Sequence, residues 1–293
     1  MPGRWTALTI VASWLALMGW LVGRELWQHY GPPPRLEDSL KAAAADGPTL
    51  WTITHKYERI GTAETQVIEL GNGRYQLRQL LHCDKPTAFF EATGLGILAR
   101  VLGVADVKGN VQILFNLSPA GELERLEVSI YQDEKDLLAT IVGLPDDKAL
   151  KLRATSPHAQ GLAWDFFIPY DAKHVIHTSL CPLDRMPGLW LGRRWQAPMV
   201  DPARSMMTQM LQRAPVDVKV REEPQNFHWT ATRDWVSCFV VEANQAEQDL
   251  HVEIWVHQED GRVLKQRAQW GKLVLEIERK TVNAREQRIL DGR

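Results

Sequence analysis

The chain has 293 residues, of which 45% are apolar and 24% are charged, which is ordinary for a globular protein. This composition excludes wholesale disorder and a membrane protein with many spans. The 34 Lys and Arg residues nearly cancel the 36 Asp and Glu residues, so the chain lacks the basic excess of most nucleic-acid-binding proteins. We therefore expect a globular protein with no nucleic-acid partner.

The N-terminus begins with a long uncharged stretch, Trp5–Val22. As a helix these residues would span about 27 Å, close to the hydrocarbon thickness of about 30 Å. No Ala-x-Ala pattern follows, so an uncleaved anchor over residues 1–30 is favoured over a cleavable signal peptide, which stays an alternative. Arg4 favours a cytoplasmic N-terminus. We expect a single-pass protein of the inner (cytoplasmic) membrane whose remaining chain is extracytoplasmic.

A Pro-rich spacer and a short helix follow the anchor, over residues 31–48. The spacer contains three consecutive prolines, and the alanine-rich stretch Leu36–Asp46 predicts a helix that Gly47 and Pro48 end. Residues 49–280 are then predicted to form one β-rich domain, and residues 281–293 a charged tail.

Strand patterns dominate the domain, separated by Gly, Pro and Asn turns. In the C-terminal half, apolar Val216, Val218 and Val220 alternate with polar neighbours, and Leu250–His257 repeats the pattern before a hairpin at Asp260-Gly261. Such alternation predicts an antiparallel sheet with one solvated face. Asp136–Leu144 is ambiguous between helix and strand. The other predicted strands are Trp51–Tyr57, Thr65–Leu70, Tyr75–Leu81, Val111–Leu117, Leu123–Tyr131, Leu162–Ile168, Val263–Trp270 and Lys272–Glu278.

Catalytic patterns are weak. Gly94, Gly96 and Ala99 fit a loose dinucleotide-binding pattern, but neither the acidic residue nor the surrounding βαβ register that such a site needs is present. Cys83 follows His82, yet neighbours on a strand point to opposite faces, so thiol catalysis is not expected.

One metal-like cluster remains as an alternative. His174 and His177 lie three residues apart and can share a helix face, and Asp171 could complete a two-His-one-carboxylate set for a metal-assisted hydrolase. Ordinary polar residues at a helix start explain the same pattern. We therefore expect no cofactor, no metal and no enzymatic activity. Whether any disulfide forms among Cys83, Cys181 and Cys238 is left open.

Two segments display apolar side chains at helical spacing. The first is the apolar stretch 94–103 and the second is a methionine-rich stretch, 204–213. Core packing is the ordinary explanation of such segments, and an apolar groove for an acyl chain or a partner is the alternative. The candidate groove residues are Ile97, Leu98, Val101, Leu102, Met206, Met207 and Met210.

Three stretches, Tyr57–Ala63, Cys181–Trp195 and Glu253–Gln266, together resemble a family of uncharacterised, membrane-anchored bacterial proteins with a periplasmic β-rich domain of unknown function. That domain is in turn similar to the lipoprotein-carrier fold. The resemblance covers about residues 50–280 and implies a curved antiparallel sheet wrapped over a few helices, with an apolar concave face. It carries over no catalytic residue.

The sequence thus predicts a mainly β (α+β) fold, preceded by one N-terminal transmembrane helix. The function expected first is that of a membrane-tethered, non-enzymatic envelope domain that binds an apolar ligand, a lipid or an envelope protein. A structural or interaction module of an envelope complex, without a ligand, is the main alternative to this function.

Overall fold

A computed structural model describes the chain over residues 12–21, 23, 33–92, 108–132, 136–146, 149–157, 163–169, 175–176, 184–197, 199–200, 216–245, 249–270 and 273–280. The fold in these ranges is mainly β, as predicted, with few helices. The helices that follow the spacer are α1 (Leu36–Asp46) and α2 (Pro86–Ala92). Asp136–Leu144, which was ambiguous from the sequence, belongs to a strand.

The strands follow in chain order. Those of the N-terminal half are β1 (Thr49–His55), β2 (Glu58–Glu69), β3 (Tyr75–Cys83), β4 (Gly109–Leu117), β5 (Leu123–Tyr131), β6 (Leu137–Asp146), β7 (Ala149–Thr155) and β8 (Ala163–Pro169). Those of the C-terminal half are β9 (Val175–Ile176), β10 (Arg194–Ala197), β11 (Met199–Val200), β12 (Val216–Val220), β13 (Gln225–Trp229), β14 (Asp234–Gln245), β15 (Leu250–His257), β16 (Val263–Trp270) and β17 (Leu273–Arg279).

One large antiparallel sheet contains fifteen of these strands. Strands β1 to β8 follow one another as a meander, and β14 to β17 form a second meander. The two meanders meet where β1 pairs with β17, which places Trp51 opposite Arg279 and Ile53 opposite Ile277. We call this pairing the seam. Strands β10, β12 and β13 extend the sheet beyond β14, while β9 and β11 form a separate parallel pair.

The sheet curves around α1. Leu36 of α1 contacts Gly121 in the turn between β4 and β5, and it also lines a cavity together with Val218 of β12. Strands β4 and β12 are eight strand intervals apart in the sheet order, which would separate them by about 38 Å in a flat sheet. One leucine side chain reaches both sides, so the sheet must bend strongly between them.

The two faces of the sheet differ in polarity, as the alternation predicts. Val216, Val218 and Val220 are buried on the inner face, whereas Asp217 between them is exposed. On the outer face Glu242 and Glu253 oppose each other in β14 and β15. The outer-face like charges are compensated by Arg221, which donates to Glu242 at 2.7 Å and to Glu253 at 2.5 Å.

Trp255 lies on the outer face of β15, between the inner-face residues Ile254 and Val256, yet only 9% of it is exposed. It belongs to a second, smaller apolar cluster that also contains Trp229, Cys238, Val240 and Leu264. Strand β13, which adds Trp229, pairs with the beginning of β14 and contributes to this cluster. The solvated face predicted from alternation is therefore interrupted at this point.

The N-terminal stretch is described from residue 12 onward, and residues 12–21 are helical. Its large apolar side chains are exposed, namely Trp14, Leu15, Leu17, Met18, Trp20 and Leu21. Within the described ranges no helix combines the length and the hydropathy that a membrane crossing requires.

Replacement of Gly61 by Ala tests how closely the strands approach beside the seam. An added Cβ would lie 2.3 Å from the backbone oxygen of His82 in the neighbouring strand. We expect the free energy of unfolding to fall by about 1–3 kcal/mol, because the backbone must shift to accept the methyl group. The matched control is Gly71→Ala, where nothing lies within 4 Å of the added atom. An equal loss in both variants, measured by denaturant unfolding, would contradict the steric explanation.

Candidate apolar binding site

A cavity of about 110 Å³ lies between α1 and the inner face of the C-terminal half of the sheet. Its lining side chains are apolar apart from the hydroxyl group of Ser39 and the indole N–H of Trp195. The spacer and α1 form one wall, strands β10, β12, β14, β15 and β16 form the opposite wall, and Met186 closes one side. The lining residues are Pro33, Pro34, Leu36, Ser39, Met186, Trp195, Ala197, Val218, Val241, Ala243, Val252, Ile254 and Val263.

Helix α1 crosses the concave side of the sheet because one of its faces is apolar. Leu40 and Ala43 are buried, and Ser39 beside them faces the cavity. The acidic side chains in the first turn, Glu37 and Asp38, favour the helix start through the helix dipole. Gly47 ends α1 with a φ of 78°, which lets the chain reverse into β1.

The C-terminal end of α1 is tied to a short segment, Asp184–Met186, which we call the strap. Arg185 forms a two-pronged ion pair with Asp46 at the end of α1, and it also donates to the backbone oxygen of Asp260 at 2.7 Å. The hydrogen bond with Asp46 raises the pKa of Arg185. The backbone N–H of Met186 donates to the oxygen of Gly261 at 2.8 Å. These bonds hold Met186 in the wall of the cavity.

A buried polar network joins the strap to the seam. Nη1 of Arg279 donates to the backbone oxygen of Asp184 at 3.1 Å, and Nη2 donates to Oγ1 of Thr49 at 3.1 Å. Oγ1 of Thr65 donates to the Asp184 carboxylate at 2.7 Å and accepts from the Trp51 indole at 2.8 Å. The Arg279 guanidinium lies 5.6 Å from the centre of the Trp51 ring. Every member of the network thus has a hydrogen-bonded or stacked partner.

Burial raises the pKa of Asp184 from 3.8 to about 6. The positive charge of Arg279 and the hydroxyl groups of Thr65 and Thr49 act in the opposite direction, but less strongly. Arg279 is itself buried, which lowers the pKa of its guanidinium. The network therefore holds the Arg279 guanidinium inside the protein next to the Asp184 carboxyl group. Because its pKa is raised, this carboxyl group stays protonated to a higher pH than an exposed Asp.

The groove residues predicted from the sequence lie outside the described residues, and this applies to Ile97, Leu98, Val101 and Leu102 as well as to Met206, Met207 and Met210. Asp171, His174, His177 and Cys181 also lie outside them. In the part of the chain that the structure describes, no group of three or more His, Cys, Asp and Glu residues is placed to hold a metal ion.

The two described cysteines are buried free thiols. Burial raises the pKa of both Cys83 and Cys238 to about 12, so neither is a thiolate near neutral pH. His82 lies on the opposite face of β3 and shares a hydrogen bond of 2.8 Å with Asn110. This arrangement agrees with the prediction that Cys83 and His82 do not form a catalytic pair.

Sequence reasoning placed the groove at other residues and did not predict this cavity, although it did predict which face of the strands in its wall is apolar. The apolar alternation predicts Val218, Val252 and Ile254 as inner-face residues, and all three line the cavity. The contribution of Pro33 and Pro34 had no local signal, because two prolines before a helix are typical of a spacer. Only the packing of α1 across the sheet reveals that they also form part of a wall.

Replacement of Asp184 by Asn tests the buried carboxyl group. The pKa of Asp184 is higher in the native protein, at about 6, than the 3.8 of an unperturbed Asp. The native state is therefore destabilised relative to the unfolded state as the pH rises from the lower to the higher of these values. We expect the Asn variant to gain stability relative to the wild type from pH 4 to pH 7, by at most roughly 3 kcal/mol. Urea unfolding at several pH values measures the difference. A constant difference across this range would show that Asp184 does not titrate there.

Comparisons with known proteins give structural similarity only. No protein-family model matches the sequence, and no curated protein matches it. The fold is similar to the crystal structure of a β-barrel-like protein of the domain of unknown function DUF1849 from Brucella abortus, at 7% identity and a TM-score of 0.38, with 79% of this chain and 94% of that chain covered. A hypothetical protein from Chlamydia trachomatis is similar at 5% identity and a TM-score of 0.31, with 84% and 94% covered.

Proposed function

We propose that this protein is a membrane-tethered, non-enzymatic envelope domain that binds an apolar ligand in the cavity beneath α1. The observation that carries the proposal is the cavity itself, whose lining is predominantly apolar. Apolar side chains that line an open pocket stay in contact with water. A ligand that fills the space would remove this apolar surface from water, which favours binding.

The lining defines the chemistry of the ligand. An apolar cavity of about 150 Å³ binds benzene or xenon, so the space of about 110 Å³ here suits a small apolar probe of this kind or a few carbons of an acyl chain. Ser39 could accept or donate one hydrogen bond, but a charged group inside would lose its hydration without compensation. The resemblance of three sequence stretches to domains with an apolar concave face supports the same ligand class.

The tether is proposed from the N-terminal stretch. Trp5–Val22 is uncharged, and the described part of it, residues 12–21, is helical with six exposed large apolar side chains. A patch of this kind on a protein surface marks contact with a membrane or another apolar partner. Together with Arg4, this supports anchorage in the inner membrane with the β-rich domain outside the cytoplasm.

Filling the cavity tests ligand binding. Ala243 lies in its wall and is buried, so Ala243→Phe would place a ring in the space that the ligand is proposed to use. We expect binding of benzene or xenon, measured by NMR titration of the full-length chain, to weaken at least tenfold. Native mass spectrometry of the wild type should also show an apolar ligand that denaturation releases.

Asn244→Phe is the matched control, because Asn244 is the next residue of β14 and is exposed on the outer face. It should leave probe binding unchanged. If the Phe ring at position 243 prevents folding, the smaller Ala243→Leu variant fills part of the cavity and should still weaken binding. Equal binding by all of these variants, or a wild type that binds neither probe, would refute the proposal and favour a structural module without a ligand.

A further inference from the structure

Strand β13 and the first residues of β14 form a two-stranded ribbon over Gln225–Cys238. One face of the ribbon packs on the sheet, where Phe227, Trp229 and Val236 belong to or pack against the smaller apolar cluster. A hydrogen bond fastens the same face, since the Trp229 indole donates to the backbone oxygen of Arg279 at 3.2 Å. The ribbon is therefore a fixed support for the side chains on its opposite face.

The opposite face of the ribbon carries four side chains, which we call the platform. Alternation along the two strands places Asn226 and His228 of β13 on this face together with Trp235 and Ser237 of β14. In the register Trp235 is opposite His228, and Ser237 is opposite Asn226. Although it lies in a strand, Trp235 is 71% exposed. Its ring contacts the His228 imidazole at 5.3 Å between ring centres and an angle of 63°, which limits the orientations of the indole.

The surroundings of Trp235 disfavour the large partners that an exposed tryptophan often contacts. Insertion into a membrane would also bury Arg233 and Asp234, the exposed residues directly before Trp235, and charged groups are costly in hydrocarbon. A nucleic acid needs Lys or Arg residues along its backbone, and none belongs to the platform. A protein interface of standard size buries about 800 Å² on each partner around an apolar core. The platform offers one large aromatic ring among polar side chains, which fits a small neutral ligand.

A sugar in its pyranose form matches both the aromatic ring and the polar groups of the platform. When the hydroxyl groups are equatorial, as in glucose, each face of the sugar ring presents C–H groups, which are attracted to the electron-rich face of an indole. The hydroxyl groups point outward around the ring, where Asn226 and Ser237 can each donate and accept hydrogen bonds. Paired residues of a ribbon are about 5 Å apart and successive residues on one face about 7 Å apart, so the platform is about as wide as one sugar ring.

We propose that the platform binds one pyranose unit of a neutral saccharide of the glucose configuration, with the sugar ring stacked on Trp235 and its hydroxyl groups bonded to Asn226 and Ser237. The contact is small, so binding to a single unit is weak. None of the platform residues lines the cavity beneath α1. The platform is therefore a second binding site, and it does not depend on the proposed function.

Fluorine NMR of the full-length chain, labelled with fluorotryptophan, tests the inference. The signal that disappears in the Trp235→Phe variant is assigned to Trp235. Titration with cellotriose, a short β-linked chain of glucose units, should shift this signal with a dissociation constant on the order of 1 mM. Sorbitol carries similar hydroxyl groups but has no ring face to stack, so it should leave the signal unchanged.

Saturation-transfer NMR on cellotriose compares the variants. Trp235→Ala should weaken binding at least fivefold, and Asn226→Ala at least twofold. The matched control is Tyr57→Ala, which removes an aromatic side chain that is 98% exposed in the turn between β1 and β2 and should leave binding unchanged.

Three results would overturn the inference. They are equal binding by Trp235→Ala and the wild type, an equal shift of the Trp235 signal by sorbitol, and a signal that responds to phosphatidylglycerol vesicles but not to cellotriose. The last result would favour contact of Trp235 with a membrane. Binding of benzene or xenon in the cavity is measured separately, so the proposed function stands or falls independently of these results.

Discussion

A single buried cation, Arg279, holds together the parts on which the rest of this structure depends. It lies in β17 at the seam, opposite Trp51, and only 1% of it is exposed. A buried charge without partners would cost several kcal/mol, so its position requires the hydrogen bonds to Thr49 and to the backbone of Asp184. The side chain of Arg279 therefore contacts both strands of the seam and the strap.

The cavity depends on this arrangement through the strap. Arg279 binds Asp184 to the seam and Thr65 binds it to β2, while Asp46 binds Arg185 to the end of α1. Met186 follows directly and forms part of the cavity wall. Three consecutive residues thus connect the polar network to the apolar site, although none of the network's side chains is among the cavity-lining residues.

The sequence predicted the strands better than it predicted their long-range pairing. Alternation in Val216–Val220 and Leu250–His257 and the Asp260-Gly261 turn are local signals, and the structure confirms the strands they indicate. The pairing of Trp51 with Arg279 joins residues more than 200 positions apart, and no local pattern specifies such a register. For the same reason the cavity itself was not predicted: the alternation indicates the inner face of its strands, but the opposite wall exists only once α1 is packed across the curve.

The position of α1 also explains why a void remains beneath it. At the N-terminal end of α1, Leu36 packs against Gly121. Its nearest atom lies 3.0 Å from the position that a Cβ added to Gly121 would occupy. Asp46 is fixed by Arg185 at the other end. Both ends of α1 are thus held by contacts, and the residues facing its N-terminal half include Ala197 and Ala243, whose short side chains leave the gap unfilled. The void is therefore a consequence of how the helix bridges the curved sheet, and larger residues at those two positions would remove it without altering either support.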